Sequence, residues 1–170
     1  FAKVEIPEMP HLLFELHGSE ENVSSGAQIF RDICSELGGQ NYKWSVKLEE
    51  RKALWAMRHK ALYAILASKP GARSLVTDIC VPLSKLSEAV SQTRKDIENS
   101  IIEGPILGHV GDGNFHAILL VDPNSPEDKE EALRLSDRMI QRALKLGGTC
   151  SGEHGLSLIH ISEPTRRRTI

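Results

Sequence analysis

Two of the chain's 7 histidines, His109 and His116, bracket the segment His109-Val110-Gly111-Asp112-Gly113-Asn114-Phe115-His116. Asp-Gly between extended apolar runs signals a two-residue hairpin, because a type I′ turn needs φ > 0 at both central positions. With Asp112-Gly113 at the tip, Gly111 faces Asn114, Val110 faces Phe115, and His109 faces His116. Directly opposed residues project from one face with Cβ atoms about 5 Å apart. Both imidazoles could then hold one cation, and Gly111 leaves room beside them. Two histidines are half of a site for zinc, manganese or iron. The same spacing also fits a cross-strand pair of partly buried histidines bonded to backbone.

Gly152-Glu153-His154-Gly155 offers candidates for the other half. The glycines let the backbone approach a ligand closely. Glu153 could add a hard oxygen ligand while leaving positions open for substrate. His154, adjacent to Glu153 in sequence, is expected to point the other way and suits a base acting on whatever the cation holds. Taken alone, this stretch also reads as a helix-terminating loop with two exposed polar residues.

The elements that would position these groups alternate between strand and helix patterns. His11–His17 and Tyr42–Val46 are short apolar runs that predict strands, as does Ser74–Val81. Helical spacing covers Asn22–Leu37, stopped by Gly38-Gly39, and Leu48–Ser68, ended by Lys69-Pro70-Gly71. Pro82 and Ser84 open another helix. Strands are predicted at Ile106–Val110 and Phe115–Val121, and a charged helix from about Pro126 to Leu146, stopped by Gly147-Gly148. Together they predict an α+β fold, an antiparallel sheet with helices packed on one face. Trp55, Met57, Leu62 and Leu66 read as core residues.

A length of 170 residues suits one domain, and 40% hydrophobic with 26% charged residues is ordinary for a globular chain. The net charge of −2 gives no reason to expect a nucleic acid or anionic membrane as partner. No apolar run approaches the roughly 20 residues of a membrane span. Cys34, Cys80 and Cys150 are odd in number and widely spaced, which suits reduced thiols rather than a disulfide framework. Leu156–Arg166 resembles the translation of a transposase adapter used in sequencing libraries. Residues 156–170 are therefore expected to be a non-native tail, with the native chain continuing past Gly155.

His109–His116 together with Gly152–Gly155 resembles the C-terminal catalytic domain of the flavin-linked oxidase family. That family includes D-lactate dehydrogenases, glycolate oxidase subunits and D-2-hydroxyglutarate dehydrogenase. Leu54–Ala64 (LWAMRHKALYA) and Thr77–Leu86 (TDICVPLSKL) agree, the latter looking most like the mitochondrial D-lactate dehydrogenase branch. The resemblance covers residues 1–155 in order and spacing. It implies a substrate- and metal-binding domain over 1–155, a fragment whose FAD-binding domain precedes it and which is inactive alone.

The resemblance further implies that His109, His116 and Glu153 bind one zinc or manganese ion, that His154 takes the hydroxyl proton, and that Arg58 holds the substrate carboxylate. A guanidinium fork matches a carboxylate with two parallel bonds. It implies FAD as cofactor, a small D-2-hydroxy acid as substrate, cytochrome c as electron acceptor and a mitochondrial location. No residue here is assigned to FAD, since Gly111-Asp112-Gly113 lies at a hairpin tip rather than at a strand-to-helix turn. D-2-hydroxyglutarate enzymes look to carry a lysine where this chain has Val76, which points to a monocarboxylate such as D-lactate. D-2-hydroxyglutarate or glycolate oxidation remains the alternative within the family. A metal-dependent hydrolase using a metal-bound water, or a non-catalytic metal-binding module, are the alternatives outside it.

Overall fold

The computed structural model describes residues 9–150. The chain divides into two compact units, Phe1–Ala61 and Leu62–Ile170.

In the first unit, helix α1 (Glu20–Glu36) starts where Ser19 Oγ accepts from the Asn22 N–H at 3.3 Å, with Glu20 and Glu21 complementing the helix dipole. It stops at Gly38, whose φ of 83° suits a residue without a Cβ. The strands predicted at His11–His17 and Tyr42–Val46 do not form. A strand needs a ladder partner, and among the described residues this unit contains no strand. Side chains of both segments meet α1 instead. The Phe14 ring stacks on Phe30, centroids 4.2 Å apart, and the Tyr42 hydroxyl donates to the Arg31 carbonyl at 3.4 Å.

The single helix predicted over Leu48–Ser68 is two, α2 (Leu48–His59) and α3 (Ala61–Ser68). Lys60 separates them, its N–H bonded to the Ala56 carbonyl with ψ at 0°. No Gly or Pro marks that break. Neither helix contains a fully buried residue, so Trp55, Met57, Leu62 and Leu66 are not core residues. Trp55, Met57 and Leu66 are half-buried and Leu62 is exposed.

The second unit carries the sheet. β1 (Arg73–Val76) and β2 (Ile79–Cys80) run antiparallel to β4 (Asn114–Val121) in one continuous register, with Val76 opposite Ile118 and Ile79 opposite Phe115. On the other edge of β4 lies β3 (Ile106–His109), and the unanticipated β5 (Thr149–Cys150) pairs with β2. Helices α4 (Leu83–Glu98) and α5 (Pro126–Lys145) cover one face, as the α+β pattern requires. Ile79, Phe115, Ala117 and Leu119 from that face form one core with Ala89 and Ile97 of α4 and with Ala132, Leu135 and Met139 of α5. Asp96 of α4 joins the two helices by accepting from both Arg138 and Arg142.

The turn between β3 and β4 differs from the two-residue hairpin predicted for it. Val110–Asp112 form a single 3₁₀ turn, and Gly113 alone is left-handed at φ 72°. His109 therefore opposes Asn114, and His116 opposes Leu107. Gly113 also lies against the backbone before α4, where Val81 N–H donates to its carbonyl at 2.9 Å. A Cβ there would come within 2.1 Å of the Val81 oxygen. Gly113→Ala combines a strained φ with that clash and should cost about 3 kcal/mol, read as a lowered denaturation midpoint of the protein.

Candidate functional site

Opposed positions on β4 and its neighbours fix which side chains share a face. His109 and Leu107 of β3 project on the same side as Asn114 and His116 of β4, because the observed register differs from the predicted one by two residues and a two-residue slip preserves the face. His109 and His116 are thus diagonal rather than directly opposed. Their rings still meet edge to face, with centroids 6.1 Å apart and planes at 89°. This is the face away from the α4–α5 core.

Between β1 and β2 the strand is interrupted at Thr77-Asp78, and the interruption serves His116. In an unbroken ladder the Ala117 N–H would donate to a backbone carbonyl. It donates instead to Thr77 Oγ1 at 3.0 Å. The Thr77 carbonyl lies 3.2 Å from His116 Nδ1, and Asp78 Oδ1 stands 3.4 Å from the same nitrogen. Asn114 Nδ2 donates to Asp78 Oδ1 at 2.6 Å and to the Ile79 carbonyl at 3.2 Å. The His116 residue is only 7% exposed, and the Asp78 side chain 9%. Burial on this scale makes each unmade polar contact costly, which explains why the carboxylate and imidazole are both partnered.

Asp78 and Asn114 were not singled out from sequence. A lone acidic residue between Thr77 and Ile79, inside an otherwise strand-like run, was the available signal, since a strand residue of that kind is either on an exposed face or held by partners. Cys150 reads from sequence as a packed small residue, and it packs against the core opposite Ile79. Burial pushes its thiol pKa up. The three cysteines are free.

The donor chemistry of the described residues fits half a cation site. With metal–nitrogen bonds of about 2.0–2.1 Å, ring centres 6.1 Å apart would have to draw closer for both imidazoles to bind one ion at a tetrahedral angle. Among the described residues no group of three or more His, Cys, Asp or Glu side chains is placed to hold a metal ion. Glu153 and His154, the remaining residues singled out for the site, lie outside the described residues. Arg58 sits in the last turn of α2, in the first unit.

Known proteins resemble the chain along nearly its whole length. The family described as "FAD linked oxidases, C-terminal domain" matches residues 2–168. A Danio rerio protein named "Probable D-lactate dehydrogenase, mitochondrial" is 40% identical over 149 residues, which is 88% of this chain and 30% of that protein. The Arabidopsis thaliana "D-lactate dehydrogenase [cytochrome], mitochondrial" is 40% identical over 151 residues, 89% of this chain and 27% of that protein. A Bacillus subtilis glycolate oxidase subunit is 28% identical over 158 residues, 92% of this chain and 33% of that protein. The chain spans less than a third of the length of the two D-lactate dehydrogenases. On its sequence and on its open antiparallel sheet covered by two helices, this chain belongs to the C-terminal domain family of the FAD linked oxidases.

Proposed function

We propose that the protein carrying this chain oxidises D-lactate, or a similar small D-2-hydroxy acid, to the 2-oxo acid with FAD and a divalent cation. We further propose that it passes the electrons to cytochrome c in mitochondria. The observation that carries the substrate class is the 40% identity to two proteins named as mitochondrial D-lactate dehydrogenases. The shared face of His109 and His116 supports the cation reading.

In this reading His109, His116 and Glu153 hold zinc or manganese. A cation held there would lower the pKa of the substrate hydroxyl, and bound FAD would supply the hydride-accepting chemistry. Arg58 pairs with the substrate carboxylate through its planar fork. His154 removes the hydroxyl proton, a role suited to an unperturbed pKa of about 6.5. Loss of that proton and of the C2 hydride leaves the 2-oxo acid.

Val76 supports a small substrate. It is 45% exposed, lies opposite Ile118, and shares the face of Asp78 and His116 two residues along. An apolar pair there offers a methyl group a neighbour and a second carboxylate none. The glycolate oxidase likeness favours glycolate as the second reading.

The full-length protein is expected to reduce cytochrome c with D-lactate and not with L-lactate; equal rates with both would count against the assignment. Arg58→Met should raise the KM for D-lactate about 100-fold, the equivalent of roughly 3 kcal/mol for a lost charge-assisted pair. A KM within threefold of wild type would remove Arg58 from the site.

A further inference from the structure

We infer that Asp78 and the Thr77 carbonyl are a positioning device that fixes His116 as its Nδ1–H tautomer, leaving the Nε2 lone pair as the ring's only free donor. A backbone carbonyl can only accept a hydrogen bond. With Thr77 O 3.2 Å from His116 Nδ1, that nitrogen must carry the proton. Asp78 Oδ1 at 3.4 Å faces the same Nδ1–H and adds a negative charge behind the ring. In a neutral imidazole the other nitrogen is then deprotonated.

Three features of the strand make the arrangement specific. Thr77 Oγ1 takes over the ladder bond from Ala117 N–H, which frees the Thr77 carbonyl to turn toward the ring. Asn114 clamps Asp78 through a 2.6 Å bond while tying itself to the Ile79 carbonyl. Asn114 sits directly opposite His109 in the β3–β4 register, so one side chain links the carboxylate behind His116 to the strand position facing the other histidine. A carboxylate bonded behind a metal-binding imidazole fixes its orientation and raises its basicity, and removing such a partner typically weakens metal binding about 10–100-fold. This consequence for the cation rests on the proposed function; the tautomer does not.

Two measurements on the full-length protein separate these claims. The first is a proton–nitrogen correlation spectrum of metal-free protein with nitrogen-labelled histidine, taken about two pH units above the ordinary imidazole pKa of about 6.5. The His116 signals are identified by their loss in His116→Gln. The Nδ1–H pattern is expected, and an Nε2–H pattern would overturn the inference whether or not a metal binds. The second is zinc affinity by competition with a chromophoric chelator, for wild type and Asp78→Asn, alongside the melting temperature of each metal-free protein. A Kd raised about 10–100-fold with little change in the metal-free melting temperature supports positioning. A Kd within twofold of wild type contradicts it, and a wild type that binds no zinc or manganese refutes the cation reading while leaving the tautomer result standing.

Discussion

His116→Ala in the full-length protein should abolish stoichiometric metal and lower kcat/KM for D-lactate about a thousandfold, with FAD still bound. The magnitude follows from the role proposed for the ring. A cation that polarises the substrate oxygen is worth several kcal/mol in the transition state, and about 4 kcal/mol corresponds to three decades in rate. In that proposed role His116 is expected to matter more than His109, because it is the buried member and contacts the Thr77 carbonyl and Asp78. Truncating it also leaves the Asp78 carboxylate facing a cavity, so some loss of stability accompanies the loss of metal. Metal content and kcat/KM measured on the same preparation check the prediction. Retained metal with a large loss of activity would assign His116 to the substrate instead of the cation.

His154→Ala should lower kcat by about 10²–10⁴-fold, the usual worth of a positioned general base, while leaving metal content unchanged. Its neighbour Glu153 should behave in the opposite way, since its proposed role is to hold the ion. The contrast between these adjacent residues is the sharpest test of how the two roles are divided. Single-turnover flavin reduction followed against pH checks it, because a missing base flattens the rise in rate that accompanies deprotonation of an imidazole. A His154→Ala protein with wild-type kcat would leave the deprotonation step without an agent.

The histidine pair was legible in the sequence for a reason that survives the error in the turn. Asp112-Gly113 predicts a hairpin tip with His109 directly opposite His116, whereas the chain turns over Val110–Asp112 and moves the pairing by two residues. Side chains alternate with a period of two, so that shift changes the neighbour but not the face. A shift of one residue would have separated the rings. Gly113 of the turn also packs against Val81, a contact no local spacing encodes.

The same limit explains the strands that did not form. His11–His17 and Tyr42–Val46 are short apolar runs, a pattern that fits a strand or a segment laid on a helix equally well. Phe14 against Phe30 and Tyr42 against Arg31 show the second outcome. By contrast α5 carried its own start and stop signals. Ser125 accepts from the Asp128 N–H at 3.1 Å, and Gly147 follows the last turn in the left-handed region at φ 77°. Asp78 escaped notice because its meaning depends on register. Only when Val76 is known to face Ile118, and Ile79 to face Phe115, does Asp78 come to stand behind His116.

Anaerobic mixing of the full-length flavoprotein with D-lactate, L-lactate or D-2-hydroxyglutarate, followed by flavin absorbance, tests the central claim most directly. Rapid bleaching by D-lactate alone, lost in His109→Ala, is the predicted result. Bleaching mainly by D-2-hydroxyglutarate would keep the chemistry and refute the substrate reading built on Val76. No bleaching by any hydroxy acid, in protein that holds both flavin and metal, would contradict the dehydrogenase assignment itself.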